Sequence, residues 1–325
     1  MTPTKLDAGL KDGYGDGSGT MSTAVYQDPN FDDDRRRAEL YAGQIVVHSP
    51  KPASLALAEF ARSLIEQAFA PLDPRTAQHE LPVDRYAAIL STLKPAFIHH
   101  AESKRHVRAL LTELGCDPEQ TYFDVPCLRS STSSGYLTTG IAYAWHPHRD
   151  TWYSAPACQI NWWFPVYEIT TENAMAFHPA YFSQGVTNDS SGYNYYEWNQ
   201  THRGAHVASY TNKDPRPLPR ATEPVALEPQ IRLIPPVGGV IVFSGAQMHS
   251  SVPNTSGVTR YSIDFRTVHV GDAAARLGAK NVDSACTGTT MRDYLRVSDL
   301  SRIPDDVIQM YDDGTGSRGS LVYGS

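Results

Sequence analysis

The 325-residue sequence predicts an all-β core with flanking helices, and two patterns support this fold class. After Thr121, short apolar or aromatic runs alternate with Ser, Gly, Pro and Asn, which is typical of antiparallel β proteins. The runs are YFDVPCLR, GYLTTGIAYAW, ACQINWWFPVY, AMAFH, IRLIPP, GVIVFSG and VTRYSIDFRTVHV. Before Thr121, apolar residues recur at helical spacing, so we expect helices that pack on the outside of the sheet.

The N-terminal region predicts little fixed structure before the first strand. Residues 1–38 open with Gly, Asp, Ser and Thr and contain the charge run FDDDRRR. Because such a segment buries little apolar surface, we expect a flexible N-terminal arm. The apolar run QIVVH that follows predicts a short strand at 44–48.

Three helices are predicted within the helical elements 52–115. The first lies in the run PASLALAEFARSLIEQAFA, whose apolar residues share one face. The second covers about 83–93 and should be stopped by Pro95. The third covers about 103–114 and should end at the glycine that follows it.

Residues 39–325 are expected to form a single domain around a β core of about residues 122–270. The interval 183–224 is polar and rich in tyrosine, and it shows no clear periodicity. An insertion of that length is usually functional, so it predicts a lid or a substrate wall, with a plain surface excursion as the alternative. The C-terminal residues 271–325 are expected to wrap the core.

Composition excludes several classes of protein. The net charge is −7 and no lysine- or arginine-rich run occurs, which argues against a nucleic-acid partner. No apolar run is long enough to cross a membrane and no signal peptide is recognisable, so we predict no membrane association and a cytoplasmic location. The four cysteines form no CxxC pair, which favours reduced thiols. Nothing in the sequence sets the oligomeric state.

The chemistry of the sequence centres on His148 and Asp150, which have the spacing His-x-Asp. In extended backbone, residues two apart project to the same side, so one imidazole and one carboxylate can reach a single metal ion. A third ligand is predicted at His249, which closely follows the strand-like run GVIVFSG. Two histidines and one carboxylate leave three coordination positions open, as in non-haem Fe(II) oxygenases.

A candidate cosubstrate anchor follows the distal histidine. Arg260 lies eleven residues after His249, in the run Arg-Tyr-Ser. A guanidinium suits a buried carboxylate because it stays charged and binds bidentately, and the natural carboxylate here is the distal one of 2-oxoglutarate. The hydroxyl of Ser251 or Ser262 could supply a further hydrogen bond. The alternative for Arg260 is an ordinary surface position on a strand.

These runs together resemble the phytanoyl-CoA dioxygenase-like family of Fe(II)/2-oxoglutarate oxygenases, which includes the ectoine hydroxylases. The matching pieces are WHPHRDTW, NWWFPVYEITTENAMAFHP and GGVIVFSGAQMHSSVPNTSGVTRYSIDF, within roughly residues 143–269. The resemblance implies a double-stranded β-helix, or jelly roll, with His148, Asp150 and His249 as iron ligands. It also implies that Arg260 and Ser251 bind 2-oxoglutarate.

The sequence departs from the family pattern where substrate usually binds. The family's Gly after Asn is Ala174 here, and its PGSH turn is replaced by the residues 178–181. Substrate identity is therefore not transferred by the resemblance. The cofactors it implies are Fe(II), 2-oxoglutarate as cosubstrate, and O2, and the expected reaction oxidises a C–H bond with release of succinate and CO2.

Other interpretations of the same residues fit less well. A cupin would pair His146 with His148, but it needs a glutamate about four residues on, where Thr151 and Trp152 stand. His-Arg-Asp also occurs in protein kinases, but no glycine-rich phosphate loop or DFG accompanies it. Iron halogenases of this superfamily replace the ligand carboxylate with a small residue, whereas Asp150 is present.

Two functional alternatives stay open at the level of sequence. One is a non-catalytic jelly-roll protein that binds a ligand or another metal in the same pocket. The other is an iron oxygenase that does not use 2-oxoglutarate, in which Arg260 would lie outside the cavity. For an oxygenase, hydroxylation, desaturation and ring chemistry all remain possible outcomes.

The expected substrate is a small molecule, and a tailoring role in specialised metabolism fits the breadth of the family. Residues expected to contact it are Arg129, Tyr143, His146 and Trp152. Along the run CQINWWF, alternation should place Trp162 and Trp163 on opposite faces of one strand. One of them should line the interior and the other should pack under the helices.

Overall fold

The computed structural model describes residues 23–138, 141, 146–202, 207–211 and 215–312. Within these residues the α-helices are α1 Asp33–Tyr41, α2 Pro52–Phe69, α3 Val83–His99, α4 Ala101–Glu113, α5 Tyr195–Thr201, α6 Val270–Ala275 and α7 Asp305–Gln309. The strands are β1 Val25–Gln27, β2 Ile45–His48, β3 Thr121–Phe123, β4 Cys127–Ser131, β5 Ile160–Pro165, β6 Met175–Phe177, β7 Ile231–Leu233, β8 Val240–Ser244, β9 His249–Ser251, β10 Arg260–His269 and β11 Leu295–Arg296.

The strands form two sheets. The larger has the order β1-β2-β8-β5-β10-β3-β11, with β4 also pairing with β10, and the smaller has the order β7-β6-β9. All pairs are antiparallel except β1 with β2. The ten-residue strand β10 is the centre of the larger sheet, because β5 pairs along one side of it while β4 and β3 share the other. The chain is therefore a β-rich fold with flanking helices, as the sequence predicts.

Two apolar layers cover the two faces of the larger sheet. The outer layer joins α2, α3 and α4 to β5, β8 and β10, and it contains Trp162. The inner layer lies between the two sheets and contains Trp163, Phe177 and Phe243. The two neighbouring tryptophans thus point to opposite faces, as the alternation of a strand requires. The cavity described below lies on the inner side.

The prediction that Pro95 stops the second helix is wrong, because α3 continues to His99. Leu90, Leu93 and Phe97 are buried along one face of this helix, while Pro95 is exposed on the other side. The backbone carbonyl that loses its partner to the proline ring can then be hydrated. Burial of Phe97 stabilises the extra turn, and tertiary packing outweighs the local propensity.

The predicted arm of residues 1–38 differs from the structure in its second part, while residues 1–22 lie outside the described residues. Strand β1 pairs with β2 at the edge of the larger sheet. Asp32 caps the start of helix α1, and its carboxylate accepts a hydrogen bond from the amide of Arg35. The charge run belongs to this helix, and Arg37 forms an ion pair with Asp272 at 2.7 Å. Charged side chains that would be hydrated in a flexible arm form ion pairs here.

The insertion and the C-terminal segment both pack on the β core. Helix α5 and two short helical turns lie in the insertion, and α6, α7 and β11 lie in the C-terminal segment. The predicted strand in GYLTTGIAYAW falls largely outside the described residues. Among the residues that the structure describes, no helix has both the length and the apolar character needed to span a membrane.

Candidate metal centre and cavity

Backbone hydrogen bonds bring the three predicted ligands together. His148 and His249 form an isolated antiparallel bridge, in which each amide donates to the carbonyl of the other at 3.0 Å. The amide of Asp150 donates to the carbonyl of Gly245 at 2.9 Å, in the turn between β8 and β9. The residues around the His-x-Asp motif are thereby held against the segment that carries the distal histidine.

The three side chains present their ligand atoms to one point. The Nε2 atoms of His148 and His249 lie 3.6 and 3.9 Å from Oδ1 of Asp150. All three ligand atoms lie within 4.8 Å of one another, which is a spacing suited to a shared cation, and all three residues are buried. Sequence reasoning therefore selected three residues that converge in space although His249 is far away in the chain.

Hydrogen bonds to the backbone fix the tautomer of both imidazoles. Nδ1 of His148 is 2.7 Å from the carbonyl oxygen of His146, and Nδ1 of His249 is 2.9 Å from that of Gln247. Each Nδ1 must carry a proton to donate to a carbonyl, so each Nε2 keeps its lone pair. That is the state in which an imidazole binds a metal ion.

Burial favours the protonation states that a metal ion needs. Burial and the neighbouring His249 lower the pKa of His148 to about 3, and burial also lowers the pKa of His249. Burial opposes the charge of Asp150, but Arg266 and the hydrogen bond from Asn161 act against it, and the pKa of this carboxyl lies below its usual value. Two neutral imidazoles and one carboxylate result.

The two oxygens of Asp150 have different surroundings. Oδ2 accepts hydrogen bonds from Nε2 of Gln159 at 2.9 Å and from Nδ2 of Asn161 at 2.8 Å. Nε of Arg266 lies 3.6 Å from the same oxygen. Oδ1 is the oxygen that faces the two histidines. The carboxylate is thus oriented from behind, with one oxygen directed at the shared point.

Arg260 points into the interior and lacks a partner for part of its guanidinium. Nη1 donates to the carbonyl of Asn173 at 2.9 Å, and Nη2 donates to Oγ of Ser251 at 3.2 Å. Nε is buried without a hydrogen-bond partner, and the group lies 5.5 Å above the ring of Trp163. Burial lowers the pKa of Arg260 to about 10, since only Asp264 opposes it. A buried guanidinium in this state is suited to an anion.

The hydroxyl groups predicted beside Arg260 differ in their contacts. Ser251 accepts from Arg260 and lines the cavity. Ser262 is fully buried on β10, and its Oγ has no hydrogen-bond partner. Because residues two apart on a strand share a face, Ser262 follows Arg260 on the inner side of β10. Among the described residues, two buried polar atoms on the same face of β10, Nε of Arg260 and Oγ of Ser262, therefore lack partners.

A cavity of about 430 Å³ lies beside the three ligands and Arg260. One part of its lining consists of rings, which we call the ring wall: Tyr153, Tyr193 and Trp198. The ring of Tyr153 meets His148 edge-on at 5.6 Å and Tyr193 at 5.8 Å, and Tyr193 lies 6.3 Å from Trp198. The ring wall therefore runs from the metal centre into the insertion 183–224, which supplies part of the lining.

A second part of the lining is charged, and we call it the ionic wall: Lys94, Asp124, Arg129, Asp264 and Arg266. Asp264 pairs with Arg129 at 2.6 Å and with Arg266 at 3.1 Å. Arg266 also pairs with Asp124 at 3.2 Å. Through the contact of Arg266 with Asp150, this network reaches the metal centre.

The residues predicted to contact substrate have different positions. Arg129 lines the cavity but its guanidinium is paired with Asp264, and Tyr143 lies outside the described residues. His146 is exposed and is not part of the cavity lining; its carbonyl orients His148. The expectation for Trp152 disagrees with the structure, because this residue is fully buried and donates from Nε1 to Asp283 at 2.8 Å. Residues Asp150–Tyr153 form a short helical turn. The side chain of Trp152 therefore does not project to the same side as that of Asp150, as it would in a strand.

Apart from Arg129, the residues of the ionic wall and the groups that hold Asp150 were not predicted from the sequence. The signal was present for part of it, since the alternation that places Arg260 and Ser262 inward on β10 also places Asp264 and Arg266 there. The same argument on β5 places Asn161 on the side of Trp163. Lys94 and Tyr193 come from a helix and from the irregular insertion, whose position relative to the sheet no local pattern specifies.

No family model and no curated protein matches this sequence. Among solved structures, EvdO2 from Micromonospora carbonacea var. aurantiaca complexed with 2-oxoglutarate is 14% identical, with 74% of this chain and 92% of that chain covered and a TM-score of 0.43. The epimerase SnoN in complex with Fe3+, alpha ketoglutarate and nogalamycin RO is 14% identical, with coverage of 73% and 85% and a TM-score of 0.36. The non-heme monooxygenase ThoJ is 13% identical, with coverage of 66% and 70% and a TM-score of 0.34. Likeness at this level carries no argument about chemistry, which depends on the residues of the site.

Proposed function

We propose that the protein is a non-haem Fe(II)/2-oxoglutarate-dependent oxygenase that oxidises a C–H bond of a small molecule. The observation that carries this proposal is the pairing of two features in one cavity. His148, Asp150 and His249 direct three ligand atoms to one point, and Arg260 presents a buried guanidinium whose Nε has no partner. Two imidazoles and one carboxylate are the donor set of non-haem iron oxygenases.

The residues of the cavity fit both an iron ion and 2-oxoglutarate. The two imidazoles and Oδ1 of Asp150 would hold the iron, and Arg260 with Ser251 and Ser262 would bind the distal carboxylate of 2-oxoglutarate. A carboxylate there would supply the acceptor that Nε of Arg260 and the hydroxyl of Ser262 lack. When bound, the iron and the keto acid supply the oxidation, with O2 giving one oxygen atom to succinate and one to the substrate.

The chain itself contributes orientation and exclusion of water. Gln159 and Asn161 hold Oδ2 of Asp150, so that only Oδ1 is directed at the metal position. Phe243 packs edge-on against the ring of His249 at 4.9 Å, which shields this ligand from solvent. Trp163 covers the guanidinium of Arg260. In such a water-poor environment the ionic contact with a carboxylate is stronger than at the surface.

Three finer statements belong to the same proposal. The fold is a double-stranded β-helix, which the two facing sheets and the inner apolar layer support. The chain belongs with the phytanoyl-CoA dioxygenase-like enzymes, which the three motif runs support. The reaction is a hydroxylation in a tailoring step, which the presence of Asp150 in the ligand set favours over halogenation.

Anaerobic addition of Fe(II) and 2-oxoglutarate tests the proposal. We expect a weak visible charge-transfer band, and, after O2 and a substrate are supplied, succinate release. Arg260→Gln should need at least about tenfold more 2-oxoglutarate for the same band, because a charge-assisted, bidentate contact is lost. Arg232→Gln is the matched control, since Arg232 is exposed on β7 and outside the cavity lining.

The same measurement separates the alternatives. A binding protein would give neither the band nor succinate. An iron oxygenase that does not use 2-oxoglutarate would consume O2 with iron and substrate but would release no succinate. An Asp150→Ala protein that kept the full band and near-native turnover would contradict the ligand assignment.

A further inference from the structure

Among the described residues, Lys94 is the charged side chain of the ionic wall that forms no ion pair with a carboxylate. Its side chain extends from α3 into the cavity, and its ammonium donates to the carbonyl of Ile141. Arg129, Asp264, Arg266 and Asp124 are all joined in ion pairs, whereas Lys94 forms no ion pair with any residue that the structure describes. An ammonium has three N–H donors, so it has donors left for a ligand.

The ionic wall as a whole carries excess positive charge. It contains three cations and two carboxylates, and Asp150 serves the metal centre. Burial raises the pKa of Asp124 to about 7 against the pull of Arg266, which reduces the negative charge further. Burial and the neighbouring Arg129 lower the pKa of Lys94 to about 7, while Cys127 and Asp264 act in the opposite direction. Near neutral pH the amine of Lys94 is then only partly charged, and an anion bound beside it would raise the charged fraction.

The ring wall indicates which chemical group would accompany an anion in a ligand that binds at Lys94. Tyr153, Tyr193 and Trp198 offer ring faces and edges in sequence from His148 outward. Aromatic side chains bind flat apolar groups by offset or edge-on contacts and add specificity to the burial of area. Leu128, Phe243 and Phe265 add further apolar side chains to the lining of the cavity, so the bulk of a ligand is expected to be apolar.

We propose that the substrate is a ring-bearing carboxylate whose ring lies against the ring wall and whose carboxylate binds Lys94. This inference rests on the proposed function and names the substrate class for the same cavity. Arg260 then serves the cosubstrate, and Lys94 serves the substrate at the far end of the ionic wall. Pairing would stabilise the charged form of Lys94, and the row Arg129–Asp264–Arg266 would separate the carboxylate of the substrate from the metal centre.

A matched pair of probes tests this assignment without turnover. Ni(II)-loaded protein is saturated with 2-oxoglutarate, so that Arg260 is occupied, and is titrated calorimetrically with 2-naphthoate and with its neutral counterpart 2-naphthamide. We expect 2-naphthoate to bind at least about tenfold more tightly, which is the effect of a partly buried charge pair. Lys94→Met should abolish this preference, whereas Lys280→Met, at an exposed position outside the cavity lining, should keep it.

Further outcomes separate this inference from the proposed function. Tyr193→Ala should weaken both probes to a similar extent, because it removes ring contact and no charge. Equal binding of the two probes by the unaltered protein, or a preference that survives Lys94→Met, would overturn the inference. So would a Lys94→Met protein that loses affinity for 2-oxoglutarate and keeps the probe preference, since Lys94 would then serve the cosubstrate. If the protein binds 2-oxoglutarate through Arg260 but shows no preference between the probes, only the inference about Lys94 is contradicted. If it binds no 2-oxoglutarate, the proposed function is contradicted.

Discussion

At the scale of single residues, the metal centre depends on side chains that do not touch the metal position. Asp150 could rotate about its terminal bond, and its two oxygens would then be equivalent. Gln159 and Asn161 remove this freedom by donating to Oδ2. Tyr294 in turn donates to Oε1 of Gln159 at 2.8 Å and fixes the orientation of that amide. A chain of neutral donors therefore decides which oxygen faces the imidazoles.

Asn161→Leu should weaken metal binding. The change removes one donor to Oδ2 of Asp150 and leaves the three ligands in place. Loss of such an outer partner typically lowers metal affinity by about 10- to 100-fold. Titration with Co(II), followed by its visible absorption, measures this effect directly. Asn30→Leu, at an exposed position before α1, is the control and should leave the affinity unchanged. An Asn161→Leu protein with native Co(II) affinity would show that Gln159 alone orients the carboxylate.

At the scale of elements, the residue between the two ligands of the His-x-Asp motif explains how the C-terminal segment reaches the site. Arg149 is fully buried and donates to the carbonyls of Ala246, Tyr181 and Gln184. Its Nε pairs at 3.0 Å with Asp283, whose carboxylate also accepts from Trp152 and from the amide of Val186. One buried ion pair thus joins residues 148–150, which we call the ligand loop, to the turn before β9, the insertion and the C-terminal segment.

Asp283→Asn should loosen the ligand loop and lower both stability and metal affinity. Removal of one partner from a buried ion pair leaves the other charge without compensation, at a cost of about 3–5 kcal/mol. Asp272→Asn weakens a buried ion pair away from the cavity lining, since Asp272 pairs with Arg37, which keeps Asp33 and Asp34 as partners. We expect a lower melting temperature for both variants and a weaker Co(II) affinity, by at least about tenfold, for Asp283→Asn only.

A gentler variant covers the case in which Asp283→Asn does not fold. Trp152→Phe keeps an aromatic ring at this buried position, but it removes the N–H donor to Asp283 together with part of the indole volume. A smaller loss of Co(II) affinity is expected for it. If neither protein differs from Asp272→Asn in metal affinity once stability is taken into account, Asp283 has a purely structural role.

At the scale of the whole molecule, the sequence predicts the periodicity within each element better than it predicts where the elements lie relative to one another. The run VTRYSIDFRTVHV predicts a strand and its inner face, and Arg260 lies on that face. The site needs β10, β5 and the ligand loop at fixed distances, and these distances depend on pairings between segments remote in the chain. Local patterns carry no such information, which is why the spacing wrongly places Trp152 in the pocket and gives no signal for Lys94. The end of α3 likewise depends on the burial of Phe97 and not on the proline before it.

Burial of titratable groups should make the fold sensitive to acid, and His48 is a clear case. It lies at the end of β2 with 8% of its surface exposed, and its Nε2 has no hydrogen-bond partner. Burial and Arg36 lower the pKa of His48 from 6.5 to about 4. The unfolded chain therefore binds a proton below about pH 6.5, while the folded protein does not do so until about pH 4. Stability must fall as the pH decreases through this window.

Comparison of the native protein with His48→Phe isolates this effect from the other buried histidines. Between pH 7 and pH 5, a pKa that differs by about 2.5 units makes a contribution of roughly 2 kcal/mol to the free energy of unfolding. The native protein, kept free of metal by a chelator, should lose about this much more stability than the variant in urea unfolding at the two pH values. Phenylalanine does not titrate and fits the strand, so the variant retains only the losses due to the other groups. If both proteins lose stability equally over this range, the pKa of His48 is not lowered in the folded state. The imidazole would then be hydrated or paired there, and β2 would be more accessible to water than the burial of His48 indicates.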